Sequence, residues 1–556
     1  MPSRREMWER LGAPVDLLVV GGGVTGAGIA RDAARRGLDV AVVDMADLAS
    51  GTSSRSSKLI HGGLRYLEHY EFSLVFEAVS ERRILQTIAP HLVNPLGFLF
   101  PVYRGQRHRL FVIQAGMWLY DGLSLFRSPR IHRRLSPADV AAEEPCLNRQ
   151  DLKGAPLFYD CATDDARLTL ETALDAADQG ATVATYAKVV GFVQDEGGRI
   201  RGATVRDELV GREVEVPARV VINATGPWTD ELLRLAGREG QAPLLRPTKG
   251  VHLVVHAQKL PLSHAVVCLH PQDGRVLFAI PWGDRTFLGT TDTDFEGDPA
   301  TVAATSADVD YLIDASAAYF PDHPLTREDV ISTWAGIRPL MAPPGEDGQV
   351  EEGQVSREHR ILVGEDGMIT IAGGKLTTYR RMARECVDTA VQLLELLGGP
   401  LDVGPARTDK APLPGAVGWP EDDDHDLVAR RVEAAAEGRL AADVAHHLGD
   451  TYGTRGIALA RRVAEAPALG RRLVDGCRDV WAQVEHAVTE ELASTVSDVM
   501  MRRTQLYYRA ADQGLGVAAA VADVLQQHLG WSDEERDASL EAYRREVGLS
   551  RAWRSG

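Results

Sequence analysis

The chain has 556 residues, 44% hydrophobic and 25% charged, which suits a folded protein of two or more domains with a sizeable core. Its net charge of -18 argues against nucleic acid as a main partner, because a phosphate backbone demands clustered Lys and Arg. The five cysteines are scattered, odd in number and lack a C-x-x-C pair, so they fit reduced thiols and give no metal motif.

The opening MPSRREMWERLGAP reads as a short polar helix without the apolar core of a signal peptide. No run of ~18 apolar residues appears, so nothing is expected to span a membrane, though lying on one stays open. The first folded stretch is VDLLVVGGGVTGAGIARDAARRGLDVAVVD, from Val15 to Asp44. The apolar run Val15–Val20 predicts a strand, and Gly21, Gly23 and Gly26 follow at G-x-G-x-x-G spacing. A helix then runs to Arg36, Gly37 ends it, and a second strand, Val40–Val43, delivers Asp44. Gly21 permits a tight turn, Gly23 lets backbone approach a pyrophosphate, and Gly26 lets helix and strand pack closely. The helix N-terminus holds phosphate charge, and Asp44 stands where a carboxylate would grip ribose hydroxyls. This predicts a Rossmann-like α/β dinucleotide site, for NAD or for FAD.

The next segment, GTSSRSSKLIHGGLRYLEHYEF, packs Thr52, Ser53, Ser54, Ser56 and Ser57 beside Arg55 and Lys58. Short hydroxyls and exposed amides suit a loop touching a pyrophosphate or flavin edge; a solvated Ser-rich loop is the plainer alternative. In HGGLRYL, the residues His61, Arg65 and Tyr66 form a candidate acid–base and anion-binding cluster. From Leu92 to Phe126 the chain turns apolar and aromatic, edged by Arg104, Arg107, Arg109, Arg127, Arg130, Arg133 and Arg134. That pattern fits either an anionic membrane interface or a core helix beside a solvated basic loop.

ARLTLETALDAADQ reads as an amphipathic helix, ATVATYAKVVGF as a strand, and RVVINATGPW as a second strand–Gly–helix junction through Thr225 and Gly226. From Pro247 to Pro344 strands and turns alternate around a helix near Ala307 to Tyr319, the natural place for an α+β substrate sheet. This region carries His252 on an apolar strand and Arg338 on a bend, and VSREHRILV follows with Arg357 and Arg360. AGGKLTTYRRMA then offers a further helix start with Gly374, Lys375 and Thr377. Leu397 to Asp426 is rich in Gly, Pro and Asp and reads as a linker. The remainder is helical, without a catalytic motif, and suits capping, dimerisation or partner contact.

Together GGGVTGAGIARDAARRG, GTSSRSSKLIHGGLRYLEHYEF, DDARLTL, NATGPW, GTTDTDFEGDP, WAGIRPL and AGGKLTTYRRMA resemble the FAD-dependent glycerol-3-phosphate dehydrogenases. The likeness covers about residues 15 to 395 and continues weakly through MRRT in the tail. It implies a glutathione-reductase-type FAD domain, an α+β substrate domain like that of D-amino-acid oxidases, and an all-α C-terminal domain. The expected division is 1–90, 150–240 and 350–396 for FAD; 91–149 and 241–349 for substrate; 397–426 as linker; and 427–556 helical. The implied reaction oxidises sn-glycerol 3-phosphate to dihydroxyacetone phosphate, with hydride passing from C2 to flavin N5 and electrons then to a membrane quinone. A glycerol-3-phosphate oxidase reducing oxygen to peroxide is the nearest rival.

Carried onto this chain, Gly21, Gly23, Gly26 and Asp44 hold the ADP half of FAD. Thr52, Ser53 and Ser57 line the pyrophosphate and flavin, and Thr225, Gly226, Gly374 and Thr377 close around the rest. His61 is the expected general base, with His252 in reserve, while Arg65, Arg338, Arg357, Lys375 and Tyr66 bind phosphate and steady the alkoxide. The implied location is the inner face of the cell membrane, attached peripherally from the cytoplasm, with a homodimer open.

Overall fold

The computed structural model describes residues 4–63, 71–105, 110–124, 129–238, 240, 242–342 and 358–555. At its centre Val15–Val20 forms parallel ladders with Val40–Val43 on one side and Glu213–Asn223 on the other. Thr182–Ala184 and Ile369–Gly373 extend the parallel core, and antiparallel His359–Val363 forms an edge. The apolar run Leu17–Val20, which follows Asp16, is buried, as strands covered on both faces are. Leu17 and Val19 pack with Ala27, Leu170 and Met382 of the helices Val24–Arg35, Asp165–Asp178 and Tyr379–Gly398. Leu18 and Val20 face a β-meander through Val205 and Val216, where Trp8 of the N-terminal helix Arg4–Arg10 also packs.

ATVATYAKVVGF, expected as one strand, is two: Thr182–Ala184 and Ala187–Gln194. Tyr186 breaks it at φ 55, and its hydroxyl donates to Asp498 of the helical tail at 2.7 Å.

Among the described residues a second sheet has eleven strands and carries His252 and Arg338. Within it Leu245–His256 lies antiparallel between Arg285–Gly289 and Ser332–Met341. Leu253 and Ala335 pack toward the helix Ser306–Tyr319, whereas Val254 and Trp334 face Val499, Met500 and Tyr508. The C-terminal helices therefore share a core with this sheet. The Gly/Pro-rich segment before them is tied down: the Gly404 amide donates to Arg36 O (2.9 Å), and the Leu413 amide to Ile88 O (2.7 Å).

The aromatic stretch between Leu92 and Phe126 contains the helix Leu110–Leu123, which combines features of both readings. Met117, Tyr120 and Asp121 are buried, while Phe111 is 68% and Trp118 56% exposed, with Val112 and Leu119 exposed beside them. Arg104, Arg130, Arg133 and Arg134 lie exposed near its ends. Among the described residues no helix is long and apolar enough to cross a membrane.

Candidate active site

A cavity of about 800 Å³ runs from the carboxyl ends of the parallel strands to the inner edge of the second sheet. Ligands collect at such strand ends because strand–helix junctions leave backbone amides and Gly-permitted space there. Its neck is the Gly-rich turn. A Cβ on Gly26 would sit 1.8 Å from Gly21 O, so helix and strand approach as closely as backbone allows; Gly26 backs the turn while Gly21 and Gly23 line the cavity. Gly21 has φ 110, open to glycine at little cost.

Asp44 closes the neck and accepts from the amides of Gly22 (2.6 Å) and Ala46 (2.8 Å). Burial nevertheless pushes its carboxyl up to about 6, against the pull of those two bonds. Ribose hydroxyls are the donors that would complete its shell. The Ser-rich segment is an ordered wall here. Thr52 donates to Ile337 O (2.6 Å), and Ser53 Oγ accepts from the Val24 amide at the helix start (2.9 Å). Ser53 thus already occupies an amide that a phosphate would otherwise reach. Thr225 donates to Asn223 Oδ1 (2.7 Å), and Gly226 follows at φ 55.

At the far end the cavity meets His61, Ser57, His252, Arg338, Lys375 and Thr377. The His61 loop is fixed through Thr377, whose Oγ1 accepts from the His61 amide (3.1 Å) and lies 3.2 Å from its carbonyl. Gly374, at φ 86, precedes Lys375 and the short turn Leu376–Thr378 that opens the helix Tyr379–Gly398. Behind His61, the Gly62 amide reaches Tyr120 Oη (3.0 Å) and Asp160 Oδ1 (3.2 Å), beside the buried Arg82–Asp160 pair. A Cβ on Gly62 would meet Tyr120 Oη at 2.2 Å, so glycine is required.

His252 is buried, with Nε2 2.9 Å from Ser57 Oγ and its ring stacked on Trp334 at 4.6 Å. Burial, then the nearby Arg338 and Lys58, hold its pKa well below the usual histidine value. The ring is therefore neutral at working pH and offers hydrogen bonds, not charge. Arg338 pairs with Asp292 (2.7 Å) and donates to Thr290 Oγ1 (3.1 Å). Arg65, Tyr66 and Arg357 lie outside the described residues.

Three features escaped the sequence reading. Lys58, named there only as standing beside the Ser-rich cluster, is buried against Asp165 (2.6 Å) and lies over the rings of Trp334 and Tyr508 at 5.6 Å. Asp165 also accepts from the Ser56 amide and hydroxyl, so the DDARLTL motif serves to pin the Ser-rich loop. Arg55 and Thr290 line the cavity as well. Only proximity across more than a hundred residues reveals these pairings.

Two family models match the chain: FAD dependent oxidoreductase over residues 16–380, and the C-terminal domain of alpha-glycerophosphate oxidase over 406–536. A glycerol-3-phosphate dehydrogenase of Mycobacterium leprae is 40% identical over 98% of this chain and 90% of its own. An aerobic glycerol-3-phosphate dehydrogenase of Staphylococcus epidermidis is 38% identical over 95% and 93%. Among solved structures, the Bacillus halodurans glycerol-3-phosphate dehydrogenase complexed with FAD aligns with TM-score 0.80 and 32% identity, over 98% of this chain and 97% of that one. These bear out the resemblance, the fold class with its all-helical tail, and the choice of FAD over NAD.

The raised Asp44 carboxyl gives its expected role at the ribose a pH test. Between roughly pH 4 and 6 the folded chain holds a proton that the unfolded chain releases, so this group's folding penalty is greatest above pH 6 and fades below it. Ribose hydroxyls favour the ionised form. FAD affinity, measured by flavin fluorescence, should fall as pH drops below about 6, and Asp44→Asn should remove that dependence. Unchanged wild-type affinity from pH 7 to 5 would contradict the assignment.

Proposed function

The chain belongs to the FAD dependent oxidoreductase family, with FAD as its cofactor, and on that premise we propose that it oxidises sn-glycerol 3-phosphate to dihydroxyacetone phosphate. The observation that carries this reading is the meeting of an Asp44-capped dinucleotide neck with His61, His252, Arg338 and Lys375 in one cavity. The relatives named as glycerol-3-phosphate dehydrogenases over nearly the whole chain support the substrate.

Gly21, Gly23 and Asp44 hold the ADP half of the cofactor, and Thr52, Ser57, Thr225, Gly226, Gly374 and Thr377 surround the remainder. Ser53 lines the cavity too while bonding the amide at the helix start, and Gly26 acts one step back, shaping the turn. Bound FAD supplies the two-electron acceptor for the C2 hydride. His61 takes the C2 hydroxyl proton as general base, a role imidazole suits because either ring nitrogen can accept or donate a proton. Neutral His252, held by Ser57 and Trp334, gives an uncharged hydrogen bond that steers the substrate hydroxyls. Arg338 binds the phosphate, its guanidinium braced by Asp292, and Lys375 steadies the developing alkoxide. Arg65, Tyr66 and Arg357 are assigned to the same phosphate end on the strength of their motifs.

Electrons then leave to a membrane quinone, with the protein held peripherally at the membrane surface. Support comes from the exposed Phe111, Val112, Trp118 and Leu119 on one helix near exposed arginines. Aromatic and aliphatic side chains bordered by cations suit an anionic lipid interface.

Two outcomes test the chemistry and the location. His61→Gln should slow anaerobic flavin reduction on the order of 100-fold or more. Arg338→Ala should raise KM for glycerol 3-phosphate about 10- to 100-fold, the loss of a charged hydrogen bond, while barely affecting glycerol. Near-normal reduction, or equal losses on both substrates, would overturn the respective role. In sedimentation with anionic vesicles, the double variant Phe111→Ser/Trp118→Ser should lose about tenfold or more in binding. Unaltered binding would exclude this helix as the contact.

A further inference from the structure

The helical tail contributes no described side chain to the cavity, yet its MRRT segment reaches the cofactor loop from outside. Asp498–Arg503 winds as a single π turn, buried throughout. Arg502 Nε and Arg503 Nη1 each lie 2.5 Å from Asp47 Oδ2, and Arg503 Nη2 lies 3.0 Å from Asp47 Oδ1. Asp47 has no exposed surface and stands three residues beyond Asp44.

Both arginines are braced within the tail. Arg502 donates to Asp498 Oδ1 (2.7 Å), which also accepts from the Tyr186 hydroxyl (2.7 Å). Arg503 donates to Glu491 O (2.6 Å). The Asp44 loop is gripped from its inner side too, where the Ala187 amide donates to Asp44 O (2.6 Å) and the Tyr186 amide to Ala46 O (2.9 Å). One short loop, Asp44 to Asp47, thus lies between the second parallel-strand edge and a cationic turn more than 450 residues away in sequence.

Buried ion pairs add little net stability, because desolvation offsets attraction; what they secure is one geometry. Here the geometry secured is that of the ribose-binding carboxylate. We propose that Arg502 and Arg503 are positioning residues for FAD, gripping Asp47 so that the Asp44 loop is preset for the ribose, which makes the C-terminal helical region part of the cofactor-binding machinery. The inference depends on FAD as cofactor and is independent of substrate and electron acceptor.

Coupling of this kind is reciprocal: if the clamp favours FAD, then FAD tightens the clamp. In dilution experiments on holoenzyme, Arg502→Gln should release FAD about tenfold faster or more, within the usual range of site-to-site coupling. Arg502→Lys, which keeps the cation, should recover most of the loss, and Arg472→Gln, at an exposed ion pair with Asp443, should change nothing. A variant that folds and releases FAD at the wild-type rate overturns the proposal. A second measurement needs no variant. Hydrogen exchange of wild-type protein, with FAD and after its removal, should show protection gained by FAD across residues 494–506. Protection confined to the Gly-rich turn and the cavity wall would overturn the clamp, whereas wild-type protein that binds no FAD would reject the cofactor itself.

Discussion

The approach of Gly26 to the carbonyl of Gly21 is the constraint from which the site follows. With a Cβ only 1.8 Å from that oxygen, any other residue would push the helix Val24–Arg35 off the strand Val15–Val20. The close packing aims the helix amino end into the cavity and sets Asp44, at the tip of the neighbouring strand, across its neck. Later strands add walls to that neck. Glu213–Asn223 and Ile369–Gly373 extend the parallel sheet so that Thr225 and Gly374 arrive at the same end.

Buried carboxylates then fix the loops that secondary structure leaves free. Asp165 takes Lys58 and Ser56, converting a Ser-rich loop into a wall, and Asp160 sits under the Gly62 amide behind His61. The charges also set the chemistry. Burial, together with Arg338 and Lys58, keeps His252 neutral, so it offers hydrogen bonds and no charge to the cavity that His61 also lines. The tail closes this logic by placing Arg502 and Arg503 on Asp47.

How much of this was legible in the sequence depended on range. The strand–Gly–helix–strand–Asp unit is local, and its glycines and Asp44 carry their reasons within thirty residues. The Ser-rich loop, NATGPW and AGGKLTTYR motifs likewise reach the cavity through their own residues. The pairings of Lys58 with Asp165 and of Asp47 with Arg502 left no local trace, because a buried lysine or arginine is written in the same letters as a solvated one. The helix Leu110–Leu123 was ambiguous for a physical reason: its composition is apolar all round, and only the fold decides that Tyr120 goes inward and Trp118 outward. Tyr186 was misread as mid-strand because β-propensity favours tyrosine there; its contact with Asp498 overrides that preference.

The most direct test of the account is an anaerobic titration of the holoenzyme with glycerol 3-phosphate, followed by a short-chain quinone and then oxygen. The flavin band at about 450 nm should bleach with substrate. Quinone should restore it rapidly, and oxygen should do so slowly with little peroxide. A flavin that stays oxidised with glycerol 3-phosphate would contradict the substrate assignment, and fast reoxidation by oxygen with stoichiometric peroxide would contradict the quinone-linked reading.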